Sequence, residues 1–263
     1  KDIIEGESIT LSSTTFSDIG ALDTHIAAID WGDGSAQAGV VDQTANTVTV
    51  SPHVYADNDS YTVTVTVTDN DGGTRSESFT TTVNSVAPTA SVSNSGPVNE
   101  GSLVTVSLGA PSDPSDADTT AGFRYSFDCN GVAGNLLSYA SSSINPNTQC
   151  LFDNDGTFSI AARIIDKDGA NTDYLSSVSI VNVAPSISIV GLESVNEGDS
   201  ATYIYTVTDP GTDGFDLAAG FPSCGSGGVL LSSTVNASGG SFDCSFPDGP
   251  ATPSVEVQVT DTQ

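Results

Sequence analysis

The sequence predicts an all-β chain: three tandem antiparallel β-sandwiches of about 97 residues each. Three observations lead there. Independent markers recur with one period, short apolar/polar alternations fill each period, and no segment keeps an apolar stripe at helical spacing.

The period is the strongest signal. Glu-Gly occurs at Glu5-Gly6, Glu100-Gly101 and Glu197-Gly198, spaced 95 and 97. A strand-like run closes on Asp69, Asp166 and Asp261, spaced 97 and 95. Val-Ala-Pro occurs at Val86-Ala87-Pro88 and Val183-Ala184-Pro185, again 97 apart. Such markers divide the chain into repeats at 1–86, 87–183 and 184–263.

Each repeat reads as strand after strand. Between Tyr61 and Thr68 every second residue is Thr, so Val63, Val65 and Val67 can face a core while the threonines face out. Residues 157–166 and 254–261 hold the same place later. Other strands are expected at 8–12, 47–51, 78–83, 103–108, 176–182 and 201–207, cut by Gly, Asp, Asn and Pro turns. Strands this short and dense point to sandwiches of immunoglobulin type. The first repeat starts too late to hold a first strand, and the third ends two residues after Asp261, short of a last one. A fragment of a longer array is expected, with strand addition between neighbouring chains as the alternative.

Composition narrows the function. The formal charge is −28, from 33 acidic and 5 basic groups, so nothing could neutralise the phosphates of nucleic acid. Lys1, Lys167, Arg75, Arg124 and Arg163 are too few for a basic face toward anionic lipid. No run approaches the ~20 apolar residues of a membrane span, so no direct membrane insertion is expected. Residues 1–6 carry no signal-peptide pattern.

The first repeat carries Trp31-Gly32-Asp33-Gly34, then His53-Val54-Tyr55, Asp59-Ser60-Tyr61-Thr62-Val63 and Val67-Thr68-Asp69-Asn70-Asp71-Gly72-Gly73. This resembles the PKD domain, an immunoglobulin-like module of bacterial and archaeal surface proteins. The second and third repeats lack Trp-Gly-Asp-Gly and look like divergent relatives. Their openings, Val98-Asn99-Glu100-Gly101 and Val195-Asn196-Glu197-Gly198-Asp199, resemble Calx-β-type repeats, which bind calcium. The resemblance implies extracellular spacing, adhesion or assembly at the cell surface, and fold alone fixes no ligand.

Cys129 and Cys150 lie 21 apart in the second repeat, and Cys224 and Cys244 lie 20 apart in the third. There is no Cys-x-x-Cys pair, which speaks against zinc. Two disulfides are expected, one inside each repeat, with four buried free thiols as the alternative. Paired cysteines favour an oxidising compartment.

An immunoglobulin-type topology brings the exit end of one repeat against the entry end of the next. Glu5 then faces Asp113, Asp116, Asp118, Asp166 and Asp168, and Glu100 faces Asp209, Asp213, Asp216 and Asp261. Asp69, Asp71 and Glu197 hold equivalent positions in the outer repeats. Carboxylates converging without basic residues in number repel one another. Calcium, which takes six to eight oxygens, would neutralise them, so these fourteen acids are the candidate Ca2+ ligands. An unliganded junction would be a hinge and a liganded one a stiff rod. The turns Asp57-Asn58-Asp59 and Asp153-Asn154-Asp155 sit nearby, but Asp and Asn there also suit plain turn chemistry.

No catalytic constellation stands out. His25 and His53 are the only histidines, and no Gly-x-Ser-x-Gly elbow is present. Trp31 is expected in the core rather than stacked on a sugar. The expected role is a structural one without enzymatic activity: a calcium-stiffened extracellular spacer, stalk or self-assembling filament subunit, partnered by copies of itself or by further repeats. The alternative is a carbohydrate- or protein-binding adhesion module of an adhesin or secreted enzyme, partnered by surface glycans.

Overall fold

A computed structural model describes residues 3–20 and 22–262. Among the described residues the chain is a succession of β-sandwich strands, mostly antiparallel, with one short α-helix. It divides into two compact units. The first holds the chain up to Ser93 with Ser107–Thr148 and Ala161–Ser176; the second holds Asn94–Val106, Gln149–Ile160 and everything from Ser177 on.

The first repeat contains β1 (Ile3–Ile4), β2 (Ser8–Ile9), β3 (Thr14–Thr15), β4 (His25–Asp30), β5 (Ala36–Asp42), β6 (Thr47–Thr49), β7 (His53–Val54), β8 (Asp59–Asp69) and β9 (Thr74–Asn84). The large sheet runs β1-β9-β8-β4-β5-β6-β3, and β2 pairs with β7. β8 and β9 form a long hairpin in register from Asp59↔Val83 to Thr68↔Thr74. β1 pairs with β9 in parallel, Ile3↔Val83. The Val/Thr alternation of β8 works as its period demands, for Val63 and Val65 are buried beneath Ile29, Trp31, Val48 and Tyr55.

The second repeat contains β10 (Thr89–Asn94), β11 (Val98–Asn99), β12 (Leu103–Ser112), α1 (Asp116–Ala121), β13 (Arg124–Asp128), β14 (Asn147–Leu151), β15 (Gly156–Ile165) and β16 (Asn171–Val181). In the first unit β13 pairs with the end of β15, Arg124↔Ile165 to Asp128↔Ala161, over a core of Leu108, Tyr125, Ala162 and Ile164. In the second unit β11 pairs in parallel with the end of β16, Val98↔Ile180, so it takes the place that β1 takes in the first repeat. The helix α1 has no counterpart in the sequence reading. Six residues are too few for an apolar stripe, and its start is set by Ser115, whose hydroxyl accepts the Asp118 N–H at 3.1 Å.

The third repeat contains β17 (Ser186–Val190), β18 (Ser200–Thr208), β19 (Gly214–Leu217), β20 (Val229–Asn236), β21 (Gly239–Ser245) and β22 (Val259–Thr262). One sheet runs β17-β18-β21-β20, and β19 pairs with β22. The strand expected at 254–261 starts only at Val259. Upstream of it Ser223 and Glu256 exchange backbone bonds of 2.8 and 2.9 Å as an isolated bridge, because β19 reaches only as far as Leu217. Tyr203, Tyr205, Phe242 and Phe246 fill the core.

Cys224 and Cys244 form a disulfide with Cα atoms 5.7 Å apart, and Cys129 and Cys150 are also disulfide-bonded. Cys129 and Cys224 each follow the strand after the Asp-Pro loop, and Cys150 and Cys244 each lie in a strand two residues before a buried Phe.

Candidate metal centres

Two acidic clusters are built by the same local devices, one within each unit. Each begins with a Glu-Gly pair. Gly6 has φ +72° and Gly101 φ +69°. A Cβ on Gly6 would overlap Pro114 O, and one on Gly101 would stand 2.5 Å from Pro210 O. Only glycine combines that backbone angle with that approach. The Gly6 N–H donates to Tyr55 O and the Gly101 N–H to Phe152 O, both at 2.9 Å. These contacts press the preceding glutamate into the interior, where Glu5 is 0% and Glu100 1% exposed. One oxygen of each is held by backbone: Glu5 Oε1 accepts from Val86 N at 2.6 Å and Glu100 Oε1 from Val183 N at 2.7 Å.

The opposing acids come from an Asp-Pro loop and a strand end. Asp113 Oδ1 accepts the Ser115 N–H and Asp209 Oδ1 the Gly211 N–H, both at 2.8 Å, leaving Oδ2 of each buried without a hydrogen-bond partner. Asp118, fully buried on α1, leaves Oδ2 without a partner while its Oδ1 faces the Lys167 ammonium at 3.3 Å, and Asp213 Oδ2 is also orphaned. Asp166 Oδ1 closes its turn by accepting from Asp168 N and Ala170 N, both at 2.9 Å, while Oδ2 has no partner. Both oxygens of Asp261 lack one.

Carboxylate oxygens of Glu5, Asp113 and Asp118 lie within 4.8 Å of one another, and so do those of Glu100, Asp213 and Asp261. Burial, and then the charges of Asp118, Asp113 and Asp166, push the Glu5 carboxyl above its ordinary range. Burial and Asp118 do the same to Asp113 and Asp166. For Glu100 the Val183 N–H pulls down, but burial together with Asp213 and Asp209 outweighs it. Buried oxygens that lack donors and repel each other form an incomplete arrangement, and such a donor set suits a hard divalent cation.

The structure thus gathers Glu5, Asp113 and Asp118 in one cluster, with Asp166 as a charged neighbour, and Glu100, Asp213 and Asp261 in the other, with Asp209 as a charged neighbour. The other six candidates fall outside these two sets. Asp116 is exposed in the first turn of α1, and Asp216 is exposed on β19. Glu197 is exposed, although Gly198 N still donates to Phe246 O at 2.9 Å as in the other Glu-Gly turns. Asp69 Oδ1 closes its own turn onto Asp71 N and Gly73 N, both at 2.8 Å, and Asp71 is exposed. Asp168 is exposed beside Lys167.

The sequence reading placed the Asp57 turn beside this junction but read it as turn chemistry, and it missed the role of Lys167. The ammonium of Lys167 lies 2.7 Å from Asp57 Oδ1, 3.3 Å from Asp118 Oδ1 and against Asp168 Oδ2. The only signal was its place next to Asp166, one of the period's own markers.

The histidines are clasped by acids. His53 Nε2 meets Asp33 Oδ2 at 2.8 Å and stacks on Trp31 at 4.5 Å, while His25 Nε2 meets Asp18 Oδ2 at 2.8 Å. Trp31 is fully buried with Nε1 donating to Gln37 Oε1 at 2.9 Å, so its face is closed to a sugar. Among the described residues no helix is long and apolar enough to cross a membrane.

The PKD domain family matches residues 1–83. No curated protein matches the chain. Solved structures with a likeness to this chain include a PcdhgB3 EC1-4 fragment (14% identity, 92% of this chain and 64% of that one, TM-score 0.31). They also include the human desmocollin-1 ectodomain (15%, 99% and 54%, 0.28). A third is the Bacteroides ovatus protein SGBP-B, solved in complex with a mixed-linkage heptasaccharide (13%, 97% and 61%, 0.23). The chain spans less than two thirds of each.

Proposed function

We propose that this chain is an extracellular structural repeat protein in which calcium, bound where one repeat meets the next, stiffens a spacer, stalk or filament. One observation carries the reading. The same four-carboxylate set, with buried oxygens that no donor satisfies, occurs twice at the same place in the period. Glu5 or Glu100 would bind from the exit end of one repeat. Asp113, Asp118 and Asp166, or Asp209, Asp213 and Asp261, would bind from the entry end of the next. A cation shared across the junction ties the two ends, and extracellular modules of this type hold calcium with dissociation constants of order 10⁻⁴–10⁻³ M.

Disulfides in the second and third repeats support an oxidising, extracellular setting. The match of residues 1–83 to the PKD domain supports a surface module. The role needs no catalytic group, and its partners are further repeats or copies of this chain. The test is small-angle scattering with calcium and with chelator. Calcium should lengthen and narrow the distribution of dimensions, and an unchanged profile would refute the stiffening role.

A further inference from the structure

The two junctions are not equivalent. At the first, carboxylate oxygens of Asp57, Asp118 and Asp168 also lie within 4.8 Å of one another, so three acids define a second cation position beside the Glu5 cluster. Asp118 belongs to both groups and is fully buried. The Lys167 ammonium stands in that second position and touches all three acids.

Among the described residues the second junction has no such group. Counting from Asp166 to Asp261, the residue in Lys167's place is Thr262. The loop facing the third repeat docks by neutral contacts instead. Thr212 N donates to Asp153 O at 2.9 Å, and the Thr212 hydroxyl donates to Asn154 Oδ1. The other described cations are engaged elsewhere: Arg75 with Glu77, Arg163 with Asp173, and Arg124 over the Tyr139 ring.

We propose that Lys167 is a built-in counter-ion, whose ammonium fills a second divalent-cation position at the first junction formed by Asp57, Asp118 and Asp168. The inference rests on the calcium reading of the junctions. Lys167 neutralises acids that would otherwise take a free ion, and because it also faces Asp118 it repels the calcium of the adjoining cluster. The first junction therefore has a charged tie without calcium, while the second has only neutral contacts until calcium binds.

Equilibrium dialysis against calcium, on the full chain, tests this. Lys167→Thr should bind one more calcium ion per chain than the parent at saturation, and Lys167→Gln should do the same. Lys167→Arg, which keeps the charge, should bind no more than the parent. Far-ultraviolet dichroism of each variant confirms the fold. Equal stoichiometry in the parent and both neutral variants overturns the proposal. If the parent binds no calcium, the stiffening role fails by itself. The lysine assignment is then judged by whether the neutral variants take up an ion, and it falls if they do not.

Discussion

Glu5 Oε1 accepts the backbone N–H of Val86 at 2.6 Å, across 81 residues of sequence. Glu100 and Val183 repeat the contact at 2.7 Å across 83. Two markers of the period, Glu-Gly and Val-Ala-Pro, thus meet in space. The glutamate fastens the segment that leads into the next repeat, and its carboxylate lies beside that repeat's aspartates. The spacing of the markers follows from this clasp.

The clasp depends on glycine. Gly101→Ala adds a Cβ at 2.5 Å from Pro210 O on a left-handed backbone, a conformation that alone costs about 1–2 kcal/mol. Chemical denaturation should show a loss of at least that size. The same change at Gly198, where no atom lies within 4 Å, should cost only the backbone share.

Neutralising a buried orphan should help the metal-free protein. Asp213→Asn removes one charge from the Glu100 cluster and supplies an N–H among acceptors. In chelator its melting temperature should rise by a few degrees, consistent with about 1 kcal/mol. In calcium it should fall below the parent. Asp216→Asn, on an exposed side chain, should leave both values unchanged.

The pH response has a defined sign. Glu5, Asp113, Asp166 and Glu100 bind protons more readily in the fold than in the open chain. Without calcium, stability should therefore rise as pH falls through their raised values, reaching its full gain near the ordinary values of 4.5 and 3.8. Asp42 and Asp128, held down by backbone N–H donors, and Asp173, held down by Arg163, act oppositely. Their contribution is lost only below the ordinary aspartate value. Melting curves in chelator should peak at mildly acid pH, and calcium affinity should weaken over the same interval.

The Cys224–Cys244 bridge closes a loop of 20 residues, worth about 3 kcal/mol in the chain-entropy account. The double variant Cys224→Ser/Cys244→Ser should lose about that much in denaturant unfolding. Calcium uptake at the Glu5 cluster, which contains no residue of the third repeat, should stay as it was.

The period and the β8 alternation made the sandwiches legible, because a strand with one buried face writes that face into every second residue. β20 was not legible: all eight of its residues, Val229–Asn236, are exposed, so no alternation marks it. The cluster acids at Glu5, Glu100, Asp166 and Asp261 were legible because they carry the period. Their neighbours in the loops were harder to sort. Asp116 and Asp118 are two residues apart, and only the turn of α1 decides that one is exposed and the other buried. Lys167 was hidden for a different reason, since its role comes from reaching Asp57, 110 residues away.

Calorimetric titration of the full chain with calcium tests the central claim most directly. The parent should bind with dissociation constants of order 10⁻⁴–10⁻³ M. Glu100→Gln/Asp213→Asn should lose the binding that belongs to the second cluster, and Asp71→Asn/Asp216→Asn should bind as the parent does. An absence of binding heat in the parent, together with identical melting in calcium and chelator, would contradict the account.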